Sequence, residues 1–256
     1  MKIAIVTGAS SGMGREFVRQ LSAYVQVDEI WAVARRREAL EALKAEAPVP
    51  VRPVVLDLLK SESFDELRSL LEGEQPEIAL LVNAAGFGKF GAYHKTTMED
   101  DCRMIDLNCK ALLVMTRLCI PYMSPGSHIL ELDSLSAFQP VPYITTYGAT
   151  KAFVLSFSRA LNRELRSRGI GVMAVCPFWT KTAFFDRAIR EGEQPIVKKY
   201  VAMYDVEDIV TRTWRDAKRG KDVCKYGFIA RAQAGLAKIL PHSLVMDVWM
   251  KQQELR

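Results

Sequence analysis

Along this 256-residue chain the spacing of apolar positions switches repeatedly between two periods. Short, apolar, often β-branched runs stand near 2–7, 29–34, 51–57, 78–83, 127–133 and 170–176. Runs of this kind predict strands buried on both faces. Between and after them, apolar residues recur at helical spacing near 14–25, 37–46, 63–72, 98–122, 144–167 and 206–218. In the first of these, Phe17, Leu21 and Val25 fall every fourth residue with Val18 beside them, as on one face of a helix. Regular alternation of strand and helix predicts right-handed βαβ crossovers and an α/β fold, a doubly wound parallel sheet with helices on both faces. No linker, repeat or low-complexity tract interrupts the pattern, so residues 1–256 are expected to form a single domain.

Ligands of such sheets lie outside the carboxyl ends of the strands. The polar residues there are Gly8, Ala34-Arg35, Asp57, Asn83 to Gly86, Ser134 and Pro177. Each is also an ordinary turn residue, and it is their convergence on one edge that gives them weight. The stretch TGASSGMGREF (7–17) places Gly8, Gly12 and Gly14 between a strand and a helix. Free backbone N–H groups at such a helix start, beside its positive dipole end, suit a phosphate. The spacing is G-x-x-x-G-x-G, not the common G-x-G-x-x-G.

Composition narrows the alternatives. The net charge of +5 is spread along the chain, and the one dense basic run is Arg35-Arg36-Arg37, so no nucleic-acid partner is expected. Five cysteines (Cys102, Cys109, Cys119, Cys176, Cys224) form no C-x-x-C pair and the three histidines lie far apart, which argues against a metal site. They read as reduced thiols of a soluble, cytoplasmic protein. No apolar run approaches the roughly 20 residues of a membrane helix.

TTYGATKAFVLSF (145–157) sets Tyr147 and Lys151 four apart, on one face of a helix. An ammonium that close favours phenolate and moves the tyrosine toward the range useful for proton transfer. Ser134, thirteen residues before Tyr147, ends a strand and stands where it can hold a carbonyl oxygen beside the phenol. Asn108 sits mid-way along the 98–122 run, where an amide has no evident packing role unless it caps or kinks the helix.

Thr7-Gly8-x-x-x-Gly12-x-Gly14, Asn83-Ala84-Ala85-Gly86, Asn108, Ser134 and Tyr147-x-x-x-Lys151, in order between residue 2 and about 182, together resemble the short-chain dehydrogenase/reductase family in its single-domain, Rossmann-like form. The resemblance implies that Tyr147 donates the proton and Ser134 positions the carbonyl. Lys151 would bind the nicotinamide ribose and lower the tyrosine pKa, and Asn108 would hold a water linking Lys151 to solvent. A dinucleotide would lie along Gly8, Ser10, Ser11, Gly12, Met13, Gly14, Arg35, Asp57, Leu58, Asn83, Ala84, Ala85, Gly86, Tyr147, Lys151, Pro177 and Thr182. Two departures stand out: Phe178 follows Pro177 where the family has glycine, and Asn-Ala-Ala-Gly replaces Asn-Asn-Ala-Gly. The family also implies a homodimer or homotetramer.

The implied activity is transfer of hydride between a nicotinamide cofactor and an alcohol/carbonyl pair. The alternative is a catalytically inactive, dinucleotide-sensing regulator of the same fold, which would not require the Ser134, Tyr147, Lys151 and Asn108 set. The place after the second strand where an acid would select NAD holds Ala34, followed by Arg35, so NADP(H) is expected, with Asp57 at the adenine. Arg36 and Arg37 read as the solvated start of the next helix. Phe178, Trp179, Phe184 and Phe185, facing Phe138, Pro140, Val141, Pro142 and Tyr143, predict a pocket for a bulky apolar substrate such as a steroid or acyl ketone, under a loop at about 178–203. The extension from about 227 to 256 carries Leu244, Val245, Val248 and Trp249 on an amphipathic helix, expected to pack on the core, a lid or a dimer partner. Its few cations favour that over contact with a membrane surface.

Overall fold

A computed structural model of the protein describes residues 1–189 and 195–255. Part of the expected substrate loop, 190–194, and residue 256 of the C-terminal extension lie outside the described residues. The chain runs β1 (Lys2–Thr7), α1 (Gly12–Arg19), β2 (Glu29–Ala34), α2 (Arg37–Leu43), β3 (Val51–Val55), α3 (Ser61–Glu74) and β4 (Glu77–Asn83). It continues through α4 (Met98–Ile105), α5 (Leu112–Cys119), β5 (His128–Leu132), α6 (Thr145–Leu165), β6 (Gly171–Val175), β7 (Trp179–Thr180) and α7 (Phe184–Ala188). The last elements are β8 (Met203–Tyr204), α8 (Val206–Lys218), β9 (Val223–Cys224), α9 (Phe228–Leu236) and α10 (His242–Gln252).

Seven strands form one parallel sheet in the order β3-β2-β1-β4-β5-β6-β9, and β7 pairs with β8 apart from it. The six expected strands all lie in the sheet, and helices cover both faces. Alternation along each strand explains why. Ala4 and Val6 of β1 join Phe17, Leu40 and Trp214 from α1, α2 and α8 in one core. Ile3 and Ile5 join Leu67 of α3, Met115 of α5 and Leu165 of α6 in the other. Chain order reverses direction between β1 and β4, and the crevice outside their carboxyl ends is where an open α/β sheet takes a ligand.

Two boundaries differ from the pattern. The first helix stops at Arg19; a single 3-10 turn, Leu21–Ala23, carries Leu21, and Val25 lies beyond it. The 98–122 run is helical throughout but not regular: Asp106–Ala111 widens into a π turn between α4 and α5. β7, β8, β9, α7 and α9 were not expected, being too short or, in α9, patterned on small residues.

Candidate active site

One cavity of about 320 Å³ opens at the carboxyl edge of the sheet. Of the residues expected at the site, all but Asn83 and Asn108 line it. At the β1–α1 turn, a Cβ on Gly8 (φ +67°) would stand 2.7 Å from the Ala84 carbonyl oxygen, so the two strand ends approach closely only because Gly8 has none. Gly12 has φ +55°, and a side chain there would enter the cavity, where its nearest neighbour is Thr182 Cγ2 at 3.9 Å. Ser11 leads into α1 in extended backbone without capping it, leaving the helix-start N–H groups for a ligand. These features fit a dinucleotide pyrophosphate.

Asn83 is turned elsewhere. As the last residue of β4 it points to the α5 side, where Nδ2 donates to Thr116 Oγ1 at 2.9 Å. Strand alternation sends it into the core, so its side chain is a structural tie between β4 and α5, away from the cavity where it was expected. Asn108, 1% exposed, accepts from Phe87 N (3.0 Å) and donates to Phe87 O (2.9 Å) and Thr150 Oγ1 (3.2 Å). The π turn brings its amide across to the loop after β4. It pins that loop beside α6, and neither Asn108 nor Asn83 faces the cavity.

Arg36 is exposed, as expected, and its Nη2 also donates to Ser10 O and Ser10 Oγ, both at 3.3 Å, while it and Arg35 line the same end of the cavity. Asp57 accepts from Leu59 N at 3.2 Å, and Thr182 Oγ1 accepts from Phe184 N at 3.3 Å.

At the opposite end Tyr147 and Lys151 stand on one face of α6, with Lys151 Nζ 5.6 Å from the phenol ring centroid. Lys151 Nζ donates to Leu132 O at 2.6 Å. Ser134 Oγ accepts from Ser136 N at 3.2 Å and lines the cavity beside Tyr147. Burial pushes the Tyr147 phenol well above the usual tyrosine range, with the Ser134 hydroxyl pulling it down and the Asp133 charge adding to the rise. Loss of water at the ring is the largest influence on the phenol. Burial also lowers the Lys151 ammonium, while Asp133 and, less strongly, Cys109, Cys176 and Glu131 hold it up.

Asp133 was missed as a site residue. It is 2% exposed, lines the cavity, and accepts from Cys176 Sγ at 3.4 Å, while its Oδ1 has no partner. Burial holds its carboxyl well above the usual carboxylate range, against the pull of Lys151. Glu131, two residues earlier and on the same strand face, is fully buried, accepts from Thr116 Oγ1 at 2.8 Å and is pushed up to about 7. The signal lay in the sequence: two carboxylates at alternate positions, Glu131 in the buried strand HILEL and Asp133 in the residue pair after it.

The remaining wall is aromatic. Tyr147 lies 5.6 Å from both Phe90 and Phe184, and Trp179 packs on Phe185 at 5.3 Å and stacks on Trp249 at 6.2 Å. Trp249 of α10 also donates its indole N–H to Pro142 O at 3.0 Å, tying the C-terminal helix to the loop before Tyr147. Phe178, Phe185 and Val141 line the cavity as expected, whereas Phe138 packs outside it against Leu135 and Ala230. Pro140, Pro142 and Tyr143 do not line it.

The family model for short chain dehydrogenases matches residues 2–193. The chain belongs to the short-chain dehydrogenase/reductase family. It is 34% identical over 218 residues to an NADP-dependent 3-hydroxy acid dehydrogenase of Salmonella typhi, covering 83% of this chain and 87% of the relative. It is 30% identical over 261 residues to the very-long-chain 3-oxoacyl-CoA reductase of Anas platyrhynchos, covering 97% and 78%. A short-chain dehydrogenase from Sphingobium yanoikuyae, solved with NADPH, superposes with a TM-score of 0.77 at 28% identity, covering 94% of this chain and 96% of that one. As a member of this family, the chain is an oxidoreductase acting on CH–OH groups with a nicotinamide dinucleotide cofactor. Among the described residues no helix is long and apolar enough to cross a membrane, and no cluster of side chains has the make-up of a metal site.

Proposed function

We propose that the protein is an NADP(H)-dependent reductase of bulky, apolar ketones, of the size of a steroid or a long acyl chain. The observation that carries this reading is the wall of Phe90, Trp179, Phe184, Phe185 and Trp249 around a cavity whose polar end is Ser134 and Tyr147. An apolar substrate buries against the rings and has one place for its carbonyl. Ser134 then donates to the carbonyl oxygen, and Tyr147, which keeps its proton in this environment, delivers it to that oxygen. The bound nicotinamide supplies the hydride to the carbonyl carbon. Lys151 anchors the ribose side, and a neutral phenol favours the reductive direction. Asp133, once ionised, serves as a positioning residue that favours the charged form of Lys151.

The cofactor preference is supported by Arg35 and Arg36 at the far end and by the absence of an acid at Ala34. Two guanidinium groups suit a 2′-phosphate and nothing there repels it. The name of one relative, an NADP-dependent dehydrogenase, points the same way, and that of another, a very-long-chain 3-oxoacyl-CoA reductase, agrees with a long acyl substrate.

The test is a kcat/KM comparison of a hydrophobic ketone series with small polar ketones and sugars, each with NADPH and NADH. We expect the apolar series and NADPH to be preferred. Arg36→Ala and Arg35→Ala should each raise the NADPH KM by about tenfold or more while leaving NADH nearly unchanged. Preference for the polar set, or values untouched by Trp179→Ala and Phe185→Ala, overturns the substrate reading. Equal efficiency with NADH overturns the cofactor reading.

A further inference from the structure

Helix α9 packs with its polarity reversed. Ala230 and Ala234 face inward, fully buried against Leu135, with Phe138 and Phe178 alongside. Its large apolar side chains face out: Phe228 is 78% exposed, Leu236 54%, and Ile239, in the turns that continue the helix to Leu240, 81%. Ile229 and Leu240 are exposed as well. A surface helix normally arranges these residues the other way, and a run of exposed apolar side chains marks a face that is covered in use.

The helical spacing also orders what flanks that face. Phe228, Leu236 and Ile239 form the outward stripe. Arg231 and Lys238, seven apart, lie along one side of it, and Gln233, which lines the cavity, lies toward the other. Arg231 and Lys238 are exposed, and among the described residues no ion pair engages them. Between residues 225 and 251 the sequence holds Lys225, Arg231, Lys238 and Lys251 against the single acid Asp247. The cations that the C-terminal helix lacks by itself are thus supplied by α9 and its flanks.

We propose that the outward face of α9, with its continuation to Leu240, docks on the anionic surface of a lipid bilayer. The apolar stripe enters the headgroup region while Arg231 and Lys238 meet anionic headgroups. A second copy of this chain fits less well, because an isologous contact would set these cations against their own copies. Gln233 and Trp249, from α9 and α10, line the cavity, so docking brings the substrate wall close to the bilayer. Delivery of an apolar substrate from the lipid rests on the proposed function; the docking itself does not.

The experiment is flotation of the full-length protein with vesicles of phosphatidylcholine alone, or of phosphatidylcholine with a quarter phosphatidylserine. We expect binding to the phosphatidylserine vesicles that weakens as salt rises. Phe228→Ser with Ile239→Ser should reduce it by about tenfold or more, and Arg231→Glu with Lys238→Glu should abolish the preference for phosphatidylserine. Both double variants change exposed residues and should melt as the native protein does. Protein that stays unbound with both vesicle types overturns the proposal, as does phosphatidylserine binding that neither double variant weakens. A dimer in analytical ultracentrifugation that Phe228→Ser with Ile239→Ser dissociates also overturns it, because a second copy then covers the face. Flotation is read without substrate or cofactor, so its failure leaves the ketone reading standing, and failure of the ketone series leaves this one standing.

Discussion

Tyr147 is a phenol that burial keeps protonated, and Lys151 is an ammonium that burial weakens and Asp133 sustains. Tyr147→Phe preserves the ring and its contacts with Phe90 and Phe184. Turnover should fall by about 10²- to 10⁴-fold, while cofactor affinity by fluorescence titration stays near native. Above the raised pKa of its carboxyl, Asp133 is the main anion that favours charged Lys151, so Asp133→Asn should move the alkaline limb of the pH–rate profile to lower pH. Cys109, Cys176 and Glu131 face the same ammonium more weakly. Glu131 gives a stability prediction. Its carboxyl is pushed up to about 7 in the folded chain, above its unfolded value, so its contribution is full below the unfolded pKa and is lost as pH rises through 7. Native protein should therefore lose on the order of 3 kcal/mol between pH 5 and pH 8.5 relative to Glu131→Gln. Paired denaturant titrations at the two pH values check it: a difference independent of pH would show that Glu131 is not protonated on folding.

The π turn between α4 and α5 shows an element widened where one side chain leaves it for a loop. Asn108 satisfies both backbone polar groups of Phe87 and reaches Thr150, and it does so from the π turn. Asn108→Ala strands those buried groups and should cost about 2–4 kcal/mol in chemical denaturation. Turnover should fall too, because the loop it pins carries Gly86 on the cavity wall. The apolar spacing of 98–122 announced a helix but not its π turn, since one widened turn hardly disturbs the periodicity. Likewise α9 escaped notice because its inward face is spelled by Ala230, Ala234 and Ala237 instead of by large apolar residues. The six main strands were legible, as each is a run of side chains buried on both faces.

At the scale of the whole molecule, the two ends of the chain meet on one cavity: the β1–α1 turn at one end and Trp249 of α10 at the other. Cofactor binding should therefore stabilise the entire fold. At a hundredfold excess over Kd the gain is about 2.7 kcal/mol, which for a chain of this size raises Tm by about 5–10 °C. On the proposed preference, NADPH should give this rise at concentrations where NADH gives little. Equal shifts with both cofactors in a thermal melt would contradict it.

Periodicity by itself determined the alternation of strand and helix, the parallel sheet and the gathering of Gly8, Ser134, Tyr147 and Lys151 at one edge, because which face a residue buries is written in its spacing. What those residues experience was set by the packing of distant segments. Asn83 turned into the core, Arg36 met Ser10, Trp249 closed the aromatic wall, and two carboxylates on β5 and just after it came to lie near Lys151. Each outcome depends on segments far apart in sequence sharing one small, poorly solvated volume. Burial energies and long-range charge effects arise from that volume, and local spacing carries no record of it.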